Sequence, residues 1–137
     1  MDDLEAIKQL KARYFRTMDT KDWRSMREVF ADDVVIDTTG SGGGVVAGAD
    51  EFMAFLRNTL QDVVTVHHGH TPEIELTSPT TASGIWAMQD LLKWPDGQEL
   101  HGYGHYHETY ALIDGAWRIK TSRLTRLRMD FTATDAR

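Results

Sequence analysis

Cysteine is absent from the 137 residues. That excludes disulfides, a thiolate nucleophile and a sulfur-held zinc ion, and it leaves the redox compartment unread. Basic charge is in deficit, with 15 Lys and Arg against 21 Asp and Glu for a formal charge of -6. Such a surface repels a phosphate backbone, so nucleic acid is not the expected partner. No apolar run approaches the roughly 20 residues that a membrane-spanning helix needs. The opening Met1-Asp2-Asp3-Leu4-Glu5 lacks the basic and apolar regions of a signal peptide, and a cytoplasmic location is the expectation. A phosphate-binding loop is missing too. Gly40-Ser41-Gly42-Gly43-Gly44 has neither the lysine and hydroxyl of a P-loop nor the glycine spacing of a dinucleotide site, and Val45-Val46 after it reads as a strand. A flexible hairpin, with a lid as one use for it, is the simpler reading. The length suits one domain, 1–137, with its own core.

What is present falls into helices first and strands afterwards. Leu4, Ile7, Leu10, Tyr14, Phe15 and Met18 recur at helical spacing behind the capping candidates Asp2 and Asp3. Trp23, Met26, Val29 and Phe30 suggest a short second helix closed by Ala31-Asp32-Asp33, and Val34 to Asp37 a first strand. Asp50 is placed to cap a third helix bearing Phe52, Phe55, Leu56 and Leu60. From Asp62 onward the pattern changes to strands: Val63 to His67, Glu73 to Leu76, Thr81 to Trp94, Leu100 to Ile113, and Trp117 to about Phe131. The turns Pro95-Asp96-Gly97 and Asp114-Gly115 carry a hairpin signature. Apolar parity slips between Ile119 and Leu124, which predicts a bulge. Thr132 to Arg137 reads as a frayed tail. The whole predicts an α+β domain: a cone-shaped α+β barrel whose curved, mostly antiparallel mixed sheet wraps the N-terminal helices. Between such a sheet and a helix lies the natural place for a small ligand.

Chemistry concentrates in His67-His68-Gly69-His70-Thr71-Pro72-Glu73-Ile74. Each imidazole brings two ring nitrogens that must be bonded or hydrated, so a run of three is costly in an ordinary core. Solvated histidines at a strand end are the competing reading. Asp90 shares strand parity with Trp86, Met88 and Leu92, which aims a carboxylate at an apolar face and demands a partner there. A histidine of the cluster is the natural one, fixed in tautomer by the acid. Arg126 is a second charge on a strand expected to be buried, unless Arg123, Arg126 and Arg128 form a solvated edge. Tyr14 falls on the apolar stripe of helix one, either as a core tyrosine or as a donor into a pocket, and Asp19 stands where that helix ends. His101, His105 and His107 suggest a metal site of the cupin type only weakly: Glu108 points away from the last two, and no fourth ligand is in place. A surface or an interface between subunits suits them better, and no metal or cofactor is expected.

Taken together, the Ile7 to Arg16 helix with Asp19, the Trp117-Arg118-Ile119 ending and the element order resemble the SnoaL-like branch of the nuclear transport factor 2-like superfamily. The histidine motif, Thr81-Ala82-Ser83-Gly84-Ile85-Trp86 and Asp90 are most similar to the bile acid 7α-dehydratases, with scytalone dehydratases more distant. The resemblance implies Tyr14, Asp19, His67, Asp90 and Arg126 as catalytic residues. In it His67 is the base, Asp90 supports that base, and Tyr14 donates to the carbonyl oxygen. His70, Trp86, Met88 and Tyr106 are expected to line the substrate pocket. The implied activity is a cofactor-independent hydro-lyase acting on a hydroxylated 3-oxo steroid or similar polycyclic enone, as a free acid or a coenzyme A thioester. A ketosteroid-type isomerase and a non-catalytic binding domain of the same fold are the alternatives. By the same analogy the protein is a homo-oligomer, a trimer or a dimer.

Overall fold

The computed structural model describes residues 1–133. Of the tail expected from Thr132 to Arg137, Thr132 instead closes the last strand, and 134–137 lie outside the described residues. Three helices precede most of the sheet: α1 over Asp3–Asp19, α2 over Trp23–Arg27 and α3 over Ala49–Leu60. The strands are β1 Phe30–Asp37, β2 Val45–Ala47, β3 Val64–Ser78, β4 Thr81–Lys93, β5 Glu99–Ile113 and β6 Ala116–Thr132. They form one sheet in the order β2-β1-β6-β5-β4-β3, with β1 parallel to β6 and every other pair antiparallel. This is the mixed, mostly antiparallel α+β architecture expected from the element order.

Helix α1 starts where Asp2 accepts a hydrogen bond from the Glu5 amide at 2.7 Å, satisfying one of the free N–H groups of its first turn. Its stripe of Ile7, Leu10, Tyr14 and Met18 is buried against the sheet. Phe30 is fully buried and meets Tyr14 and Phe52 edge-on, with ring centroids 5.9 and 5.3 Å away. It therefore ties α1, β1 and α3 together, a burial worth roughly 1.5–3 kcal/mol. Two long hairpins, β3–β4 and β5–β6, then carry inward side chains at every second position.

Several boundaries differ from expectation for local reasons. Phe30 opens β1 instead of closing α2, because the Ile119 amide reaches back to the Val29 carbonyl and Phe30 pairs Ile119. Gly48, with φ 102, occupies the N-cap of α3, and Asp50 binds Arg27 instead. The two segments expected around the histidine run are one strand, β3, interrupted by an irregularity between His70 and Glu73 where Thr71 adopts φ 42. The glycine-rich loop contains a 3-10 turn at Thr39–Ser41 that rests on β6: a Cβ at Gly40 would strike the Leu124 carbonyl. The bulge of β6 falls at Lys120, since Thr109 pairs Thr121 while Tyr110 pairs Ile119. It moves the inward set from Trp117 and Ile119 to Ser122 and Leu124.

Candidate active site

A cavity of about 240 Å³ opens between α1, α3 and the inner face of the sheet. Met18, Ile36, Phe52, Leu56, Leu60 and Leu92 supply its apolar wall; Tyr14, His67, Asp90, Tyr106, Ser41 and Arg126 supply its polar one. Phe55 and Thr59, both exposed, stand at its rim.

His67 is placed by β3, whose pleat turns Thr65 and His67 inward and Val66 and His68 outward. The last residue of α1 meets it there. Asp19 accepts from the His67 backbone amide at 2.8 Å, from Thr65 Oγ1 at 2.9 Å, and lies 2.7 Å from His67 Nδ1. An ionised carboxylate only accepts, so the ring proton sits on Nδ1 and the lone pair on Nε2. Lys21 Nζ donates to Thr65 Oγ1 at 2.8 Å and extends the network to the loop after α1.

The acid on the imidazole is therefore Asp19, not Asp90 as the sequence had suggested. Asp90 Oδ2 stands 4.0 Å from His67 Nε2, the other side of the ring. Its carboxylate is taken by the Arg126 guanidinium in a fork, with Nη1 to Oδ1 at 2.8 Å and Nη2 to Oδ2 at 3.0 Å. Arg126 Nε donates in turn to Ser41 Oγ at 2.8 Å. The side chains of the pair are only 3% and 9% exposed, so Arg126 does not belong to a solvated edge. Gly102 lies directly across from Asp90, and a Cβ there would collide with the carboxylate and the guanidinium.

Tyr14 and Tyr106 face the same space, their rings edge to face with centroids 5.8 Å apart. Burial is the main reason both phenols are held well above their ordinary pKa, so they are neutral donors at any physiological pH. Tyr106 thus reaches the cavity as expected. Three other residues expected to line it do not. His70, three positions after His67, falls on the outward face and lies exposed beside His68, their rings 6.1 Å apart. Trp86 points inward but toward α1, where its Nε1–H donates to Tyr110 Oη at 3.0 Å. Met88 packs behind the ion pair, its Sδ 3.8 Å from Arg126 Nη1.

Sequence reading missed a second buried charge pair. Lys11 Nζ lies 2.8 Å from Glu108 Oε2, both side chains fully enclosed. Glu108 also accepts from Tyr110 and Ser122, each at 2.9 Å. Lys11 follows Leu10 on the buried side of α1, and Glu108 shares inward parity with Tyr106 and Tyr110. The signal was therefore present as two charges at apolar positions. His105 and His107 occupy the outer face, His107 Nε2 3.1 Å from Thr125 Oγ1. Among the described residues no group of three or more His, Asp or Glu is placed to hold a metal ion.

Comparison with known proteins gives a consistent family of shapes. The model of the family described as SnoaL-like domain matches residues 1–123. A protein described as a cyclase, FGR4 of Gibberella zeae, is 24% identical over 133 residues, covering 88% of this chain and 89% of its own. The hexachlorocyclohexane dehydrochlorinase LinA-type3 of Novosphingobium barchaimii superposes with a TM-score of 0.83 at 18% identity, over 96% of this chain and 90% of that one. A structure described as a scytalone dehydratase from Novosphingobium aromaticivorans gives 0.85 at 20% identity, over 98% and 89%. At these identities the superpositions show the fold.

Proposed function

Because the chain belongs to the SnoaL-like domain family, we propose that it is a cofactor-independent carbon–oxygen lyase, a dehydratase removing water from a hydroxylated ring enone. One observation carries this reading: His67, with Nδ1 tied to Asp19 and Nε2 left basic, in a cavity that also holds two neutral phenols. Proton abstraction from carbon beside an unsaturated carbonyl needs such a base, a donor where negative charge gathers, and apolar walls that exclude water. In this mechanism Nε2 takes the proton, and the electron pair flows toward the carbonyl oxygen, which accepts from Tyr14. Collapse of the dienolate expels the hydroxyl, which leaves as water with the proton carried by His67. Asp90, 4.0 Å from Nε2, stabilises the imidazolium between those two steps. Arg126 holds Asp90 in place and, with Ser41, shapes the polar end of the cavity.

The names of two structural neighbours, a dehydrochlorinase and a dehydratase, are names of eliminations. The resemblance of the histidine motif to bile acid 7α-dehydratases makes a hydroxylated 3-oxo steroid the first substrate to test. A cavity of about 240 Å³ is below the roughly 300–1,000 Å³ usual for pockets that engulf a drug-sized ligand. A steroid would therefore place its enone ring inside and its remaining rings past Phe55 and Thr59. Incubation with a 7α-hydroxy-3-oxo-Δ4 steroid, and in parallel with hydroxylated one- and two-ring enones, should raise the absorbance of a longer conjugated system with loss of 18 mass units, the mass of water. A product of unchanged mass would make the enzyme an isomerase using the same base and donor. No turnover across such a panel, with ligand still bound, would reduce the site to a binding pocket.

A further inference from the structure

Tyr14 and Tyr106 present their hydroxyls to the cavity, and their ring faces are turned to one ammonium group. Lys11 Nζ stands 3.8 Å from the centroid of Tyr14 and 3.6 Å from that of Tyr106, close range for attraction between a cation and an aromatic face. Phe15 adds a third ring at 4.8 Å. The lysine is wholly enclosed and is not among the residues that line the cavity. An ammonium in that position has lost its water, so it persists only because Glu108 faces it at 2.8 Å. Glu108 is itself pinned by Tyr110 and Ser122, and Tyr110 by Trp86. Four side chains from β4, β5 and β6 thus converge to hold the positive charge of α1 against two phenols. A structural staple alone would be served as well by a leucine in place of the lysine and an apolar partner.

We propose that Lys11 is a positioning residue of the site, orienting Tyr14 and Tyr106 through their ring faces and strengthening them as donors to an oxyanion in the cavity. This rests on the reading above, in which Tyr14 meets the oxygen that gains charge. A positive charge over the ring face draws electron density toward the ring and away from the phenol oxygen, so the O–H bond polarises further when an anion approaches. Tyr106, lining the same cavity with its ring 5.8 Å from that of Tyr14, stands where it can share that load.

Binding of 4-nitrophenolate, a coloured oxyanion of one-ring size, tests the proposal without any turnover; 4-nitroaniline, similar in shape and uncharged, is its control. Lys11→Met alone strands Glu108 in the interior, so Lys11→Met combined with Glu108→Gln carries the test, its folding checked by circular dichroism. Wild type should prefer the phenolate, and the double variant should bind it about tenfold more weakly with nitroaniline affinity unchanged. Adding Tyr14→Phe to that variant should cost less than it does in wild type, because the two act through one donor. Equal loss for both ligands, or phenolate affinity equal to wild type, would overturn the role of Lys11 while leaving Tyr14 in place. A wild type without preference for the phenolate removes Tyr14 as the oxyanion donor, and the proposal falls with it.

Discussion

Exchange of Asp19 for asparagine keeps the shape of the side chain but leaves one acceptor oxygen and one NH2 donor where the His67 amide and the His67 Nδ1–H each need an acceptor. The imidazole then loses its preferred tautomer, and the basic nitrogen no longer faces the cavity. Turnover should fall roughly 10²–10⁴-fold, the range for losing a positioned base, with the same loss for His67→Gln. Steady-state kcat with a matched melting curve checks it; full activity in Asp19→Asn would place the base elsewhere. A second residue-scale prediction concerns Gly102, the space into which Asp90 and Arg126 fit. Gly102→Ala should destabilise the protein by about 1–3 kcal/mol, as overpacking does. Arg126→Met should cost about 3–5 kcal/mol, because it leaves a buried carboxylate unpaired. Urea denaturation of the two variants tests the order of these effects.

At the scale of elements, β6 does the sorting. Lys120 is the extra residue that lets Trp117 and Ile119 face the helices while Ser122 and Leu124 also turn inward. Deleting Lys120 would restore alternation from Trp117 up to the second register shift at Leu127, and the inward Ser122, Leu124 and Arg126 would exchange faces with their neighbours. The deletion variant should therefore lose its cooperative melt and bind a hydrophobic dye; one that melts like wild type would refute the bulge. This parity slip was legible in the chain, as were the helix of Ile7, Leu10 and Tyr14, the hairpin turns and the order of elements. The inward set of β3 was only half legible. His67 and His70 look like equals in the motif, yet three positions along a strand put them on opposite faces.

For the molecule as a whole, three buried phenols make stability depend on pH at the alkaline end. Tyr14, Tyr106 and Tyr110 are all raised from the ordinary 10.0, chiefly by burial. The unfolded chain loses these protons first. The stability they contribute is thus complete below pH 10.0 and declines as the pH climbs above it toward their folded values. Lys11 works in the opposite sense: burial lowers its pKa, so rising pH relieves its desolvation before the unfolded lysine titrates at 10.5. Lys21, half-buried and with its pKa also lowered by desolvation, acts in the same sense as Lys11; two lysines against three phenols leave the net slope downward above pH 10.0. Melting temperatures taken from pH 10 to 11.5 should fall, with tyrosinate absorbance at 295 nm from these residues appearing only as the protein unfolds. Early titration of all four tyrosines would show that the phenols are not enclosed.

The sequence by itself determined the architecture, because periodicity, turn chemistry and strand parity are local properties of the chain. From these came the helices before the curled sheet, while the resemblance of its motifs to SnoaL-like proteins singled out Tyr14, Asp19, His67, Asp90 and Arg126, four of which line one cavity with Asp19 behind His67. Only the tertiary structure decided who partners whom. Asp19 and Asp90 are equally acidic in the sequence, but the end of α1 meets β3 at His67, and Arg126 reaches Asp90 across β5 where Gly102 leaves room. Lys11 and Glu108, 97 residues apart, each show in the sequence only as a charge at an apolar position, with nothing local to say that they meet. Their pairing exists because folding takes both out of water at the same point, where neither charge is tolerable alone.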